Sequence, residues 1–461
     1  MDATATSWNP NPGVAGGTVI HSLVLSGPIL YVGGRFETIG GQSRRNFAAI
    51  ETSTGNATSL DINILAFDDS NFAIIGVTAL ALSDTILYVG GDSWSVGKSY
   101  ARNRLAAINP ATNEATSFDP NINGNGTVYS LVLNSDGSTL YAGGDFTTIG
   151  GQTRKALAAL NTSDGTATSF DPNATFDLNA TGTPMTLLLS GTTLYAGGTF
   201  NSIGGQTRNH LAALNVSDGT ATSWNPNANN TVNTLALAGS TLYAGGDFTT
   251  IGGQTRNRIA ALNTADGTAS SWNPNASSTV RTLTISGTTL YAGGDFTSIG
   301  GQSRNYIAAL NTSDGMASSW NPNANNAAYA LALDGTTLYA GGQFTTIGGV
   351  SRDRLAALNA DDSTATSWDP DPEFGDFVSS LILAGSTLYA GGGFYGSLGG
   401  VKARAHFAQF GTNPVPTTTS ISPSSGTAGD SDTTITVTAA PSTSRFSILP
   451  RPAALQEPKL L

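Results

Sequence analysis

The sequence predicts an all-β protein, an eight-bladed β-propeller of four-stranded antiparallel blades, and three observations predict it. Tyr-x-Gly-Gly recurs at Tyr31, Tyr88, Tyr141, Tyr195, Tyr243, Tyr291, Tyr339 and Tyr389, at intervals of 57, 53, 54, 48, 48, 48 and 50 residues. Self-similarity at a period near ~40–50 residues is the mark of a propeller blade. An aromatic residue followed by Asn or Asp and then Pro stands at Trp8, Phe118, Phe170, Trp224, Trp272, Trp320 and Trp368, with a degenerate Leu60-Asp61 in the second place. From each Tyr to the next such position the distance is 29 or 30 residues. Length variation is therefore confined to the connection that follows, which marks it as the variable surface. Thirdly, no segment carries a helical period.

Within the repeat Val232 to Pro274, four runs read as short strands: Val232–Leu237, Leu242–Phe248, Arg258–Asn263 and Thr268–Trp272. Gly-Ser, Gly-Gly and Asp-Gly turns separate them. The first three are apolar on both faces, as strands covered by a neighbouring sheet on each side would be. The fourth, Thr268-Ala269-Ser270-Ser271, is polar. That places it at the outer edge, where an unpaired ladder meets water and apolar side chains would invite aggregation.

The two ends complement each other. No aromatic-Asn-Pro landmark follows Tyr389 at the usual interval, so the last blade lacks its fourth strand. The chain opens on Asp2-Ala3-Thr4-Ala5-Thr6-Ser7-Trp8-Asn9-Pro10, which matches Gly219 to Pro226 and supplies a fourth strand without the other three. The expectation is that Met1–Pro10 completes the eighth blade and closes the ring. The propeller then occupies residues 1–411, and 412–461 forms a Pro/Ser/Thr-rich linker with a disordered tail after Pro441.

The segments Leu-Tyr-Ala-Gly-Gly-Asp-Phe-Thr (242–249), Arg256 to Asn263 and Asp-Gly-Thr-Ala-Ser-Ser-Trp-Asn-Pro (266–274) recur in that order. They resemble the bacterial delta-60 type propeller repeats, and the resemblance spans about residues 1–411. It implies a secreted or cell-surface location more than any chemistry. Thr419 to Gly429, continued by Ile435 to Thr438, is similar to the opening of an immunoglobulin-like IPT/TIG domain, which breaks off after one further strand. Met1-Asp2-Ala3 runs into the strand pattern without a basic and apolar leader, so an extracellular location rests on this resemblance and on composition.

Composition removes several functions. Charged residues make up 11% of the 461, with 20 basic against 31 acidic groups and a net charge of −11. Such a chain repels phosphate backbones and anionic lipid, so nucleic acid is not an expected partner. No apolar run approaches the ~20 residues of a membrane helix, and no membrane insertion is expected. There is no cysteine, and the histidines are His21, His210 and His406. Thiolate chemistry is absent, and no metal or cofactor is called for. Gly91 to Ser99 has five residues between its glycines where a phosphate loop needs four. No histidine sits in a nucleophile elbow.

Arginine recurs at Arg44, Arg102, Arg154, Arg208, Arg256, Arg304, Arg352 and Arg404. It suits either carboxylates on a glycan or a repeated fork onto loop carbonyls, and a stacking scaffold favours the second. The repeated Tyr and Trp are expected to fill the space between blades rather than stack on sugars. Asp145, Asp247 and Asp295 follow Gly-Gly, but Arg35, Asp92, Thr199, Gln343 and Gly393 hold that place elsewhere. The carboxylate is thus optional to the fold, and the expectation is a solvated turn acid.

In a propeller the strand-four-to-strand-one connections and the Thr-Ile-Gly-Gly-Gln-Thr-Arg loops open on one face. Its longest insertions carry Asp68, Asp69 and Asn71 within Asp61–Gly76, and Asp371, Glu373 and Asp376 after Trp368. These six are the candidate ligand-binding residues. The expected function is a non-catalytic, secreted or cell-surface binding and adhesion scaffold, monomeric within a longer multidomain protein, whose partner is a glycan or a surface protein. The alternative is a polysaccharide-degrading enzyme with Asp68, Asp69, Asp371 and Glu373 converging over the centre. Symmetry separates the readings: a lectin repeats one polar set in many blades, whereas an enzyme gathers one asymmetric acidic cluster.

Overall fold

A computed structural model describes residues 10–13, 18–62, 64, 76–83, 85–92, 103–112, 114–122, 127–176, 186–369, 374–384, 387–398, 402–411, 418–422, 434–439 and 442–447. For 374–376, 384, 394–398, 402–411 and the strands beyond, only the backbone is described. Among the described residues every regular element is a strand, and every strand pair is antiparallel.

The unit is clearest where the repeats are most regular. Val232–Ala238, Thr241–Gly246 and Ile259–Asn263 form one three-stranded sheet in that order. The middle strand is buried from Leu242 through Gly246, as an apolar run enclosed on both faces must be. The same sheet recurs along the chain, with inner strands Val19–Ser26, Val77–Leu82, Val128–Leu133, Thr186–Ser190, Val280–Ser286, Ala328–Asp334 and Phe374–Ala384. Each inner strand lies against the inner strand of the next sheet in sequence, and Val19–Ser26 also lies against Phe374–Ala384.

Two elements depart from the sequence-based expectation. The fourth run is not a full strand: Ala269 meets Leu262 in a single bridge, and the pattern repeats at Ala57, Ala167, Ala221, Ala317 and Ala365. The bridge is closed by the Asn263 amide on the Thr268 carbonyl at 3.0 Å and the Ser270 amide on the Ala261 carbonyl at 2.9 Å, while the Ala269 amide, on the outer side, donates to the Gly252 carbonyl at 3.0 Å. Glu114–Ala115 is the described exception, adding a short fourth strand to its sheet. The second departure is the Thr-Ile-Gly-Gly-Gln-Thr segment, expected as a loop. It is a hairpin pairing Thr250–Ile251 with Gln254–Thr255, turned by Gly252 and Gly253 at φ of +61° and +75°. Two consecutive positive φ values are what a tight primed hairpin turn demands. Ile251 anchors it in the core.

Glycine governs how sheets meet. A Cβ on Gly245 would stand 2.7 Å from Val280 Cγ1 of the following sheet, so the first Gly of Tyr-x-Gly-Gly is a socket for the next inner strand. Gly341 offers the same socket to Val378, and Gly391 offers one to Ile20, with the added Cβ 2.6 Å from the receiving side chain in both cases. The second Gly, Gly246, lets the Thr231 carbonyl approach from its own sheet.

Aromatic residues complete the contact, as expected. Tyr243 and Trp272 meet edge to face at 5.2 Å, and both are buried with Ile259 and Ala261 of one sheet and Val280, Leu290 and Phe296 of the next. The Trp272 indole donates to the Asn311 carbonyl at 2.8 Å, and Trp224 and Trp320 do likewise to Asn263 and Asn359. Tyr389 packs in the same manner against Ile20, Leu30 and Val32 of the first sheet.

Further along, Thr418–Ser422, Thr434–Ala439 and Ser442–Ser447 form a three-stranded sheet. Within it the backbone of Ser442–Ser447 pairs antiparallel with Thr434–Ala439.

Two substitutions probe the contact between sheets. Gly245→Val forces a branched side chain into the Val280 socket and is expected to cost about 1–3 kcal/mol of unfolding free energy by denaturant titration. Trp272→Phe loses the bond to Asn311 and keeps the ring, costing about 1 kcal/mol, whereas Trp272→Ala costs about 3–5 kcal/mol. Phe118 and Phe170 already occupy the equivalent place with full burial.

Candidate functional site

The connection entering each inner strand and the hairpin after each middle strand lie on one edge. Asn229 Oδ1 accepts from the Thr249 and Thr250 amides at 2.7 and 3.0 Å, and Asn325 accepts from those of Thr345 and Thr346 at the same distances. Three positions recur beside this edge, close to the inner strands, some exposed and some, as at Asn46, Arg104 and Ala156, buried.

The first stands on a bulge. Register slips opposite Gly-Gly leave one residue of the inner strand unpaired: His21, Thr78, Tyr129, Asn233, Arg281, Tyr329 and Ser379. A bulge bends the strand and re-aims its side chain. The second side chain follows Gly-Gly: Arg35, Asp92, Asp145, Thr199, Asp247, Asp295 and Gln343, with Gly393 in the last sheet.

The third opens the outer strand of each triplet and has a left-handed backbone: Asn46, Arg104, Ala156, His210, Arg258, Tyr306 and Arg354, at φ between 59° and 68°. Such a conformation is costly without glycine and persists where the surroundings over-determine it. Here the Arg258 amide donates to the Phe248 carbonyl at 2.7 Å, and the Arg258 carbonyl accepts from the Gly246 amide at 2.8 Å.

The first two positions pair within a sheet. Arg281 grips Asp295 through Nε and Nη2, at 2.7 Å for the shortest bond, and this pairing raises the basicity of the guanidinium. Asn233 Nδ2 donates to Asp247 at 3.1 Å, and Thr279 Oγ1 of the next sheet donates to its other oxygen at 2.5 Å. The Tyr329 hydroxyl donates to Gln343 Oε1 at 2.7 Å. Asp145 accepts from the Thr127 amide. Burial pushes its carboxyl above the ordinary carboxylate range, against the opposing pulls of that amide, Arg104 and the Tyr129 hydroxyl. The expectation of solvated turn acids is therefore corrected: Asp145, Asp247 and Asp295 are engaged by specific donors at the end of a buried strand. True turn acids do exist one connection later, where Asp164, Asp218, Asp266 and Asp362 accept from a Thr two residues on and are held below the ordinary range.

A cavity of 350 Å³ opens here across three consecutive sheets, lined by Arg281, Tyr329, Gln343, Phe377 and Ser379. Arg281 lies 5.3 Å from the centre of the Tyr329 ring, and Phe377 meets that ring edge-on at 6.2 Å.

The recurrent arginines take their expected structural place. Arg256 Nη1 donates to the Thr255 carbonyl and Nη2 to the Ser270 carbonyl, a fork repeated by Arg44, Arg154, Arg208, Arg304 and Arg352. Arg102 lies outside the described residues, and so does the side chain of Arg404. Of the candidate ligand-binding residues, Asp68, Asp69, Asn71, Asp371 and Glu373 also lie outside the described residues. Asp376 has its backbone in the strand Phe374–Ala384, and its side chain is outside them. Among the described residues no three His, Asp or Glu side chains gather as metal ligands, and no helix is long and apolar enough to cross a membrane.

Sequence reasoning missed the bulge and left-handed positions, although a signal was present. From the fourth repeat to the seventh the units are close to copies, yet the bulge reads Asn233, Arg281 and Tyr329 and the left-handed place reads His210, Arg258, Tyr306 and Arg354. Variation against a copied background is the pattern that a ligand-facing surface leaves on a scaffold.

Titration of Asp145 has a signed consequence. A carboxyl whose native pKa is raised penalises the folded state at neutral pH, and the penalty fades as pH falls through the raised value towards the unfolded ~3.9. Asp145→Asn is thus expected to unfold at higher denaturant than the parent at pH 7, with the difference gone near pH ~4. An advantage that persisted at pH 4 would assign the effect to packing.

Residues 134–167, 193–221, 241–269, 289–316 and 334–367 match the model of a domain of unknown function, DUF5122, described as a beta-propeller. No curated protein matches the sequence. Among solved structures the chain is similar to the computationally designed Ika8 protein, with a TM-score of 0.54 and 12% identity over 87% of this chain and all of that one. A chain of the mitotic checkpoint complex aligns over 71% of this chain and 88% of its own, with a TM-score of 0.45 and 14% identity. The copied antiparallel sheets and the five matched segments together make this a propeller-type repeat domain.

Proposed function

We propose that the chain is a non-catalytic binding and adhesion scaffold of the cell exterior, an eight-bladed ring that presents its central mouth to a glycan or surface protein. Closure of the ring is supported by the last and first sheets, which meet through the contacts used everywhere else. Gly391 receives Ile20 as Gly245 receives Val280. The Ser379 hydroxyl reaches the Ile20 carbonyl at 3.5 Å. The Pro10 carbonyl accepts from the Gly40 amide, the bond that Pro226 makes with Gly252, which fits a first segment standing in for the missing fourth run of the last blade. The delta-60 resemblance and the low charge support an exterior location.

The observation that carries the binding reading is the concentration of chemical variety at three positions on a frame that otherwise repeats. A per-blade lectin would repeat one polar set, and these sets differ from blade to blade. The acids at the mouth are held by donors, which favours recognition over proton transfer. The alternative of a polysaccharide-degrading enzyme draws support from one group, Asp145, whose carboxyl burial pushes upward, the direction a general acid requires.

Two measurements test the proposal. Incubation of the full chain with a polysaccharide and glycan array, reading retained ligand and released sugar together, is expected to give retention without release. Release that Asp145→Asn abolishes would establish the enzyme instead. Removal of Met1–Pro10 is expected to lower the melting temperature by several degrees, since the last blade then lacks its outer segment, and an unchanged melting curve would sink the closure.

A further inference from the structure

We propose that the cleft among Arg281, Tyr329, Gln343, Phe377 and Ser379 binds a neutral pyranose unit of a glycan. The inference rests on the mouth being the binding face and goes further, naming one site and one ligand class.

The cleft is built by departures from the repeat. In other sheets the residue two before the bulge carries no ring and is no larger than Val, as in Val19, Gly76, Thr127, Thr231, Thr279 and Ala327, and a side chain follows Gly-Gly. The last sheet inverts this arrangement, with Phe377 two residues before the bulge at Ser379 and Gly393 after Gly-Gly. The two changes are coupled, because a Cβ on Gly393 would stand 3.1 Å from Phe377 Cε1. Removing one side chain admits the phenyl ring, which then faces Tyr329 across the cleft. At 350 Å³ the space lies within the range of about 300–1,000 Å³ typical of small-molecule sites.

Its chemistry selects the ligand. Arg281 and Asp295 neutralise each other through Nε and Nη2, so the cleft carries an anchored guanidinium with little net charge. Nη1 bonds to no described acceptor, and Gln343 has spent its Oε1 on the Tyr329 hydroxyl while its amide nitrogen has no described partner. Aromatic faces beside unspent, planar N–H donors suit a ring with apolar C–H faces and a rim of hydroxyl oxygens. A carboxylate would gain little from a guanidinium already paired, and the chain's net charge of −11 opposes polyanions.

The test is saturation-transfer NMR and calorimetric titration of the full chain with methyl glucoside, methyl galactoside, methyl mannoside and glucuronate. At least one neutral pyranoside is expected to bind in the millimolar range, more tightly than glucuronate, with transfer strongest to the C–H face. Tyr329→Ala is expected to weaken it at least about tenfold, in line with the loss of an aromatic contact. Gly393→Asp, which restores the side chain found in other sheets, is expected to abolish it, and Met316→Ala at the exposed outer edge leaves it unchanged. Melting curves accompany each variant, and transfer to the wild-type sugar protons decides the matter should Tyr329→Ala fail to fold. Absence of pyranoside binding, or tighter binding of glucuronate, overturns the proposal. Binding that survives both substitutions overturns the cleft and leaves the scaffold reading intact, whose own failure would show as released sugar on the array.

Discussion

The close approach of one inner strand to the glycine of the preceding middle strand is the constraint on which the array depends. With any side chain at Gly245, Val280 could not seat, and the edge-to-face contact of Tyr243 with Trp272 would open. Burial then follows: the apolar clusters straddle neighbouring sheets rather than lying inside single ones, so each sheet has its core only in company. That is the expected energetics of a repeat protein, in which interfaces contribute much of the stability.

Most of this frame was legible from spacing and alternation. The period, the three inner runs and the packing of Tyr and Trp all follow from which residues recur where. What escaped has local causes. The fourth run looks like a strand because Thr-Ala-Ser-Ser has suitable side chains, but its ladder is a single bridge bounded by the Asn263–Thr268 and Ser270–Ala261 bonds, and composition does not report how far pairing extends. The hairpin at Thr250–Thr255 was hidden because its two-residue strands are too short to alternate. The bulges were invisible for a different reason. They are a mismatch of register between two strands, and a run such as Val-Arg-Thr-Leu reads alike whether or not Arg281 is paired.

The candidate site divides the same way. Loop acids drew notice because insertions stand out, and the place after Gly-Gly did so because its residue changes. Its partners did not, since Arg281 with Asp295 and Tyr329 with Gln343 lie 14 residues apart and meet only when two strands pair. Strand pairing thus brings two variable positions into contact, and the same aspartate meets a different neighbour in different sheets: Tyr129 beside Asp145, Asn233 beside Asp247 and Arg281 beside Asp295.

The left-handed residue at the head of each third strand has a consequence for how such a protein diversifies. Its backbone is gripped from both sides by main-chain atoms, the phenylalanine carbonyl and the glycine amide, whatever side chain it carries. Asn46, Ala156, His210 and Tyr306 are therefore interchangeable as far as the main-chain hydrogen bonding is concerned. The side chain there can be replaced without breaking the main-chain bonds that hold the architecture, much as type is reset within a locked frame.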